Sequence, residues 1–276
     1  MSTTKLLAAA AAVVVLTIPP AHAADLPPLP PPMLQRAPII QDFGGWYLRG
    51  NIGLSSQSVK SLDNVVSPGT TVTTTFLDFD SAPFFGLGAG YQLNNWFRFD
   101  FTGEYRAKAN FKGSQTATFG AIILPDSYNA SKSEWVFLAN AYVDLGTWWC
   151  LTPFVGLGVG ASRNTISNFV DIGATQVGAT ILSTTFGSEA SKWNFAWAAH
   201  AGLAYKVTPG LTVELAYRYL HLGDAKTGPT NSFDGVTVVN GTPFQFKDLN
   251  SHDLMLGIRW SCCDEPPPPP PLIRKG

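Results

Sequence analysis

Residues 97–106 read FRFDFTGEYR, a stretch in which the aromatic residues all carry odd numbers and the charged residues all carry even numbers. A β-strand points successive side chains to opposite faces, so this period of two gives the strand one aromatic face and one charged face. A helix would scatter the same charges around its circumference. The stretch therefore predicts a β-strand.

Seven more segments repeat the alternation, with no break in composition between them. They lie at about residues 46–55, 83–93, 134–145, 151–162, 192–206, 211–219 and 253–260. Short connections at Asn94-Asn95, 146–150 and 208–210 alternate with long ones. This layout is typical of membrane barrels, in which about 9 to 11 residues suffice for a tilted strand to cross the bilayer. The sequence predicts an all-β fold, an eight-stranded antiparallel up-and-down transmembrane β-barrel.

The alternation alone does not say which face points inward, since a soluble barrel such as a lipocalin would bury the apolar face. Eight rows of large apolar groups exceed the space inside a small barrel. The polar faces carry both signs in balance, which indicates a paired interior network, because a buried charge needs a partner. The predicted interior charges are Arg49, Arg98, Arg106, Lys206, Arg218 and Arg259 against Asp100, Glu104, Glu134, Asp144, Glu214 and Asp253. These features favour the membrane barrel.

Two rows of glycine share the parity of the charged faces. They are Gly86, Gly88 and Gly90 in the second segment, and Gly156, Gly158 and Gly160 in the fifth. Glycine on an inner wall leaves room for long neighbouring side chains, and Arg98 and Glu104 on the adjoining strand are the expected beneficiaries. Both rows look like fragments of a nucleotide-binding GxGxxG motif, but no helical pattern follows either one.

Composition excludes several classes of protein. Charged residues make up 13% of the 276 residues and the net charge is −1, which argues against a nucleic-acid binder, for which a basic excess is typical. The apolar share of 45% and the aromatic share of 12% argue against a disordered chain. Cys150, Cys262 and Cys263 fit no metal-binding spacing, and they allow one optional disulfide or none. No cofactor or metal site is predicted.

Both ends of the chain differ from the middle. Residues 1–23 have the basic start, the apolar run and the Ala-His-Ala site of a cleaved signal peptide, and residues 24–45 form a proline-rich periplasmic lead. The barrel spans 46–260, and 261–276 form a proline-rich periplasmic tail. Pro266–Pro271 predict a polyproline II rod that directs Arg274 and Lys275 towards peptidoglycan. An unstructured end is the simpler interpretation.

Aromatic residues cluster where the strands should meet the two interfaces. The predicted periplasmic girdle comprises Trp46, Tyr91, Trp96, Trp148, Trp149, Tyr205 and Trp260, and the outer girdle comprises Tyr105, Trp135, Trp193, Tyr217 and Tyr219. The odd–even pattern also fixes the lengths of the short turns, because directly opposed residues share a face. We expect three-residue loops at 94–96 and 208–210, with one Asn and Gly210 in the left-handed conformation.

A few polar residues could carry chemistry. His221 and Asp224 end the seventh segment, and Ser251, His252 and Asp253 open the eighth, so these residues could meet at the outer rim. A His–carboxylate–Ser group would support nucleophilic catalysis, although polar side chains are common at a barrel rim. His200 is expected inside the barrel as a hydrogen-bonded member of the network.

Several motifs resemble the small outer-membrane β-barrel family of alphaproteobacteria, which is related to the OmpA/OmpX-type barrels. They are Ala24–Pro27, Gly45–Gly53, Gly86–Tyr91, Asn95–Asp100 with Glu104–Arg106, and Pro153–Gly158. The resemblance implies a porin-like surface protein of the cell envelope without catalytic residues. The family commonly ends on an aromatic residue read by the barrel-assembly machinery; Trp260 resembles it, but sixteen residues follow.

Together these features predict a structural surface protein of the outer membrane that contributes to envelope integrity, with at most a narrow conductance. Eight strands leave an interior that side chains fill, which disfavours a diffusion porin. A barrel enzyme acting on lipid A or at the outer rim is the other alternative. The expected partners are outer-membrane lipid and lipopolysaccharide, the barrel-assembly machinery, and peptidoglycan through the tail. No nucleic-acid partner is expected.

Overall fold

A computed structural model describes residues 44–64, 68–177, 179–233 and 235–261; for 174–177 and 179–182 it describes the backbone alone. The predicted signal peptide, nearly all of the proline-rich lead, Cys262, Cys263 and the proline-rich tail lie outside these residues. The described part belongs to one compact unit, Asp42–Gly276. It contains no helix, and therefore none long and apolar enough to cross a membrane.

Thirteen strands make up the described residues. They are β1 (Gly45–Ser58), β2 (Ser61–Asp63), β3 (Thr71–Phe79), β4 (Ala82–Gln92), β5 (Phe97–Phe119), β6 (Ile122–Asp144), β7 (Leu151–Val177), β8 (Ala179–Gly187), β9 (Ala190–Thr208), β10 (Leu211–Lys226), β11 (Thr230–Phe233), β12 (Val238–Gly241) and β13 (Gln245–Ser261).

Eight of these strands form a closed antiparallel ring in the order β1-β4-β5-β6-β7-β9-β10-β13. The ring closes because β1 also pairs with β13, with Tyr47 opposite Ser261 and Ser58 opposite Asn250. The eight predicted segments all lie on ring strands, so the predicted fold class is confirmed.

The predicted facing of the strands is also confirmed. In β1, Tyr47, Arg49 and Asn51 are buried inside the ring, whereas Leu48 and Ile52 are exposed on its outer wall. Directly opposed residues share a face, so the outer wall consists of continuous apolar rows. One outer row contains Tyr105 and Trp135, whose ring centroids are 5.0 Å apart.

The first short turn has the predicted length. The backbone N–H of Leu93 donates to the carbonyl of Phe97 (2.9 Å), so three residues connect the strands. The expected left-handed Asn is absent from this turn. Instead, Oδ1 of Asn94 accepts hydrogen bonds from the backbone N–H groups of Trp96 and Phe97 (2.8 and 2.9 Å), an Asx turn that makes a positive φ unnecessary.

The turn between β9 and β10 differs from the prediction. Leu211 pairs with Thr208, so the turn has two residues, Pro209 and Gly210, and Gly210 is not left-handed. A register shift follows at once, because Thr212 pairs with Lys206 and leaves Val207 as an extra residue. The bulge supplies the odd residue that parity requires.

The last short turn, between β6 and β7, uses two left-handed residues. Trp148 and Leu151 exchange backbone hydrogen bonds of 2.9 Å, and Trp149 and Cys150 between them have φ of 49° and 68°. Positive φ at both central residues defines a type I′ turn, which matches the twist of a hairpin. Cys150 is exposed there as a free thiol.

The long connections are not the irregular loops that their Ser, Thr, Asn and Gly content indicated. Strands β5 and β6 run on together to a two-residue turn at Gly120-Ala121, with Phe119 opposite Ile122. Strand β3 pairs with this hairpin, and β8 and β11 continue the sheet from β7. We call the part of the sheet beyond the outer girdle the extension. It comprises β2, β3, β8, β11 and β12, together with the ends of the ring strands that pair with them.

The extension has its own apolar core. Phe246 and Phe111 are 0% and 1% exposed with ring centroids 5.0 Å apart, and Phe169 lies 4.6 Å from Phe244. Inward residues of the ring such as Leu138 join this cluster. The sequence patterns did not indicate this core, because its aromatic residues lie in stretches interpreted as loops.

The final strand ends near the expected place. Strand β13 ends at Ser261, and Trp260 lies on the outer wall opposite Leu48 and Leu211. Trp46 was expected beside Trp260, but it lies two residues before Leu48 in β1. Its ring packs edge-on against Tyr91 with centroids 5.4 Å apart.

Candidate functional site

The interior of the ring is the candidate functional site, because it gathers nearly all the buried charges of the described residues. Arg98, Arg106 and Arg218 are 0%, 0% and 1% exposed. They belong to β5 and β10, whose inward parity places them in the lumen. Two networks of ion pairs fill the lumen at different levels.

The lower network lies towards the short turns. Arg49 pairs with Asp100 (Nη1 to Oδ2, 2.6 Å) and approaches Glu214 (3.3 Å). Arg98 pairs with Glu214 (Nη1 to Oε1, 2.6 Å) and with Asp144 (Nε to Oδ1, 3.2 Å). Arg259 on β13 also lies 3.6 Å from Oε1 of Glu214, so Glu214 joins three arginines from three different strands across the lumen.

The upper network lies towards the extension. Arg106 makes a bidentate contact with Asp253, with both N···O distances at 2.8 Å. Its Nε lies 2.8 Å from Oε2 of Glu134. Arg218 binds both oxygens of Glu104 (2.8 and 2.6 Å) and also reaches Oδ2 of Asp253. Bidentate pairs of this kind fix geometry as well as charge.

One member of the interior was predicted wrongly. Lys206 has the inward parity, but it lies exposed at the short-turn end of β9. Lys132 takes its place, because it is 1% exposed, contacts Glu134 and donates to Oε1 of Gln57 (2.7 Å). Six cations still face six carboxylates. Lys132 was missed because it lies in a stretch interpreted as a loop.

The partners of Arg98 also differ from those expected on its own strand. Asp100 pairs with Arg49 and Glu104 pairs with Arg218, whereas Arg98 crosses the lumen to Glu214. Arg98 therefore takes its carboxylate partners from β6 and β10 and none from its own strand. Aromatic rings complete the lower network; Arg98 lies 4.4 Å from the ring centroid of Tyr142.

The glycine rows serve the purpose that the sequence predicted. A Cβ at Gly86 would lie 2.5 Å from Cγ of Glu104, and a Cβ at Gly88 would lie 3.2 Å from Cγ of Arg49. A side chain at Gly86 would therefore displace Glu104. The other predicted beneficiary, Arg98, is not among the three atoms nearest to a Cβ placed at any glycine of the two rows.

His200 is buried inside the ring as expected, and its ring packs edge-on against Tyr142 with centroids 5.3 Å apart. The expected hydrogen bonds to it are absent, because neither ring nitrogen has a partner. Oδ1 of Asn140, on the opposite side of Gly158, is also without a partner.

The candidate rim residues do not assemble. Ser251 and Asp253 face the lumen, where Oγ of Ser251 donates to Asp253 (2.5 Å) and accepts from Arg106 (2.6 Å). His252 and His221 face outward, and their Nδ1 atoms contact Tyr217 Oη and Asn250 Oδ1 respectively. The barrel wall therefore separates the serine from both imidazoles. Asp224 binds Lys192 at 3.0 Å instead.

The extension holds one unusual pair of acids. Asp126 on β6 and Asp171 on β7 both approach Gly173. Burial raises the pKa of Asp126 to about 6 and, together with the charge of Asp126, raises the pKa of Asp171 to about 7. Burial and the same two carboxylates also raise the pKa of neighbouring Tyr128 well above 10. Among the described residues, no cluster of three or more potential metal ligands occurs.

A family model named outer membrane protein beta-barrel domain matches residues 8–260 of the chain. The chain belongs to this family. Membership agrees with the closed ring, the apolar outer wall and the aromatic rows, and it places the protein in the bacterial outer membrane.

Proteins of similar sequence come from several bacteria. An uncharacterized protein of Brucella abortus is 27% identical over 276 residues, which covers 87% of this chain and 92% of that protein. A protein of Rickettsia bellii named as a putative adhesin is 29% identical over 218 residues, with coverage of 78% and 87%. Among solved structures, the outer membrane protein OprG from Pseudomonas aeruginosa is 16% identical, with a TM-score of 0.45 and coverage of 79% and 96%.

Proposed function

We propose that the protein is a sealed barrel of the outer membrane that strengthens the envelope and carries the extension at the cell surface. One observation carries this proposal: arginines with almost no solvent-exposed surface lie in the lumen at two levels, Arg98 in the lower network and Arg106 with Arg218 in the upper network. Paired charges that fill a small barrel support a structural role over transport.

The proposed orientation follows from the lengths of the connections. Outer-membrane barrels keep short turns on the periplasmic side and long connections outside. The turns at 93–97, 145–150 and 209–210 would then face the periplasm, together with both termini, and the extension would face the medium. Export through cleavage after Ala23 belongs to the same proposal.

Planar-bilayer recording of the refolded barrel tests whether the lumen is sealed. The wild-type barrel should show no stable conductance steps. Because the two networks lie in series, removing Arg98 and Glu214 should leave the upper seal intact and the barrel silent. A second variant also removes Arg106, Arg218, Glu104 and Asp253, and it truncates Phe111 and Phe246 of the apolar core above them to Ala. This variant should open a path and give measurable steps.

The variant truncated in both networks and in the apolar core is the positive control for insertion into the bilayer. Wild-type steps as large as those of this variant would contradict the sealed barrel and favour a diffusion porin. A deletion strain should become sensitive to detergent. The wild-type gene and the silent Arg98→Ala/Glu214→Ala variant should both restore resistance, since this role does not need transport.

An enzymatic role has less support. Its best candidates were the rim residues, and the barrel wall separates Ser251 and Asp253 from His221 and His252. The proposal therefore assigns no catalytic residue, cofactor or metal.

Contact with another surface is the second candidate function, and the outer face of the extension supports it. Ile172, Thr184, Phe233 and Val238 lie in one row across four strands. Ile172, Phe233 and Val238 are 49%, 45% and 66% exposed, which is unusual for large apolar groups outside a bilayer. A Rickettsia relative is named as a putative adhesin. Attachment of bacteria to cultured mammalian cells should fall in a Phe233→Ser/Val238→Ser variant and persist in a Thr184→Ser control.

A further inference from the structure

An apolar groove of about 670 Å³ crosses the outer wall of the barrel. Two outward rows line it. The lower row runs from Leu215 through Leu256 and Ile52 to Phe85, and the upper row contains Leu254, Leu54 and Pro83. Ala107 on β5 closes one end. The volume of the groove falls within the range of about 300–1,000 Å³ found for small-molecule sites.

The groove lies at the upper edge of the apolar band. Directly above Leu254 and Leu54, the next outward row contains Tyr219, His252 and Ser56. Here the wall changes from apolar to polar, and Tyr217 Oη lies 2.6 Å from Nδ1 of His252. Whatever fills the groove therefore has its polar end at the interface on the extension side.

Two lysines stand above the end of the groove. A bulge in β5 between Arg106 and Ala109 leaves both Ala107 and Lys108 on the outer side, so Lys108 directly follows the residue that closes the groove. Lys112 is exposed further along the same strand. Among the described residues, neither lysine has a carboxylate within 4.0 Å, although Asp78 lies opposite Lys112 in the register. These cations are available to an external anion.

A polar hollow of about 230 Å³ adjoins Lys112 on the same outer wall. Asn110, Asn129 and Ser131 line it, together with Asp80, which accepts a hydrogen bond from Asn110 (3.3 Å). Amide and hydroxyl groups in this arrangement offer both donors and acceptors, which suits sugar hydroxyls better than a simple phospholipid headgroup.

We propose that this face is a binding site for one molecule of lipid A, the phosphorylated glycolipid anchor of lipopolysaccharide. An acyl chain fills the groove, Lys108 and Lys112 bind phosphate, and the polar hollow contacts the sugar. The site rests on the proposed orientation, in which the extension faces outward. It is independent of the sealed lumen, so conductance results do not bear on it.

The test is titration of the refolded full-length barrel in detergent with purified hexa-acylated lipid A, followed by native mass spectrometry. The wild-type barrel should hold one lipid A. A basic side chain near an anionic surface contributes about fivefold in affinity, so Lys108→Gln/Lys112→Gln should weaken binding roughly 25-fold. Ala107→Trp should fill the end of the groove and abolish the one-to-one complex.

Matched controls lie on the opposite side of the barrel. Arg163 is an exposed outward cation between Trp135 and Trp193, and Ala161 is an outward residue of the apolar band. Arg163→Gln and Ala161→Trp should leave binding unchanged, and a heat-induced gel shift confirms that each variant has folded. Equal losses in the control variants would show non-specific attraction and overturn the proposal.

Two further lipids identify the ligand. Dephosphorylated lipid A should bind to the wild-type barrel as weakly as phosphorylated lipid A binds to the Lys108→Gln/Lys112→Gln variant. Phosphatidylglycerol should bind more weakly than lipid A and should not respond to Asn129→Ala. Equal binding of dephosphorylated lipid A would refute the role of the lysines, and equal binding of phosphatidylglycerol would refute a glycolipid site.

Discussion

Arg218 illustrates how single residues hold the barrel together. Its guanidinium binds both oxygens of Glu104 on β5 and one oxygen of Asp253 on β13. Among the described residues, Glu104 has no other cation within 4.0 Å. Glu104 and Arg218 are each 1% exposed, so neither charge can be solvated if the other is lost.

We expect Arg218→Ala to lower the free energy of unfolding by about 3–5 kcal/mol, because it leaves Glu104 as a lone buried charge. The double variant Arg218→Ala/Glu104→Ala should lose less, since no unpaired charge remains. Urea unfolding of the barrel in lipid vesicles measures both. Lys206→Ala, at an exposed position, should stay within about 0.5 kcal/mol of wild type. Equal losses in the single and double variants would show that these residues face water.

The acid pair in the extension gives a prediction for pH. The folded pKa values of Asp126 and Asp171, about 6 and about 7, lie above the ordinary value for Asp. The folded state therefore binds protons more tightly than the unfolded state, and this contribution to stability is full at low pH and is lost as pH rises through 6 and 7.

Hydrogen exchange at 126–128 and 171–173, corrected for intrinsic rates, should show more opening at pH 8 than at pH 5. Asp171→Asn should remove most of the difference, because its side chain cannot ionise. Exchange in the ring strands on the short-turn side of the outer girdle serves as the internal control. Protection that increases with pH in the extension alone would contradict the linkage.

The odd–even pattern of the sequence identified eleven of the twelve charges that pair inside the ring. Physical reasons explain the position that was wrong and the partners that were not predicted. The parity of a residue number assigns a side chain to one face of a strand, but it does not say how far along the barrel axis the residue lies. Lys206 was therefore placed inside the ring although it lies at an exposed strand end. Parity also cannot show which strands face each other across the lumen. The contact of Arg98 with Glu214, on a strand that is not its neighbour, was therefore beyond reach.

At the scale of elements, the extension is the main departure from the sequence-based prediction. Its strands are rich in Thr, Ser, Asn and Gly, and each long connection lacks the contrast between faces seen at 97–106. Pairing with the ends of the ring strands supplies the order that local sequence does not indicate. The aromatic cluster around Phe246 then stabilises these strands from inside.

Phe246→Ala should destabilise the extension by about 3–5 kcal/mol, as expected for truncating a fully buried aromatic side chain. The ring should remain intact, because its strands are held separately by the ion-pair networks and their own hydrogen bonds. Limited proteolysis should cut the variant within the extension, while the heat-induced gel shift of the barrel persists. Phe233→Ala, at a half-exposed position, should behave as wild type.

At the scale of the whole molecule, ring closure joins residues that are far apart in sequence. Tyr47 on β1 lies opposite Ser261 on β13. Strand β1 therefore cannot pair with both of its neighbours until β13, the last strand of the chain, is in place. A refolded barrel should resist SDS until it is heated, and it should give a β-rich circular dichroism spectrum. A helical spectrum would contradict the fold.

Deleting 264–276 tests the proposed role of the tail. Strand β13 ends at Ser261, so assembly and the heat-induced gel shift should be unchanged. If Arg274 and Lys275 contact peptidoglycan, co-sedimentation with cell wall should fall, and Arg274→Gln/Lys275→Gln should reproduce the loss. Unchanged co-sedimentation would leave the tail without the role proposed here.

The β5–β6 hairpin also constrains how the gene can change in length. Its two-residue turn is compatible with the facing of the ring only because the bulge between Arg106 and Ala109 contributes one extra residue. Adding one row to the hairpin would turn every inward side chain above it outward, and the aromatic core would be lost. Insertions and deletions tolerated in evolution should therefore come as two residues in each arm, with single-residue changes confined to the tip at Gly120-Ala121.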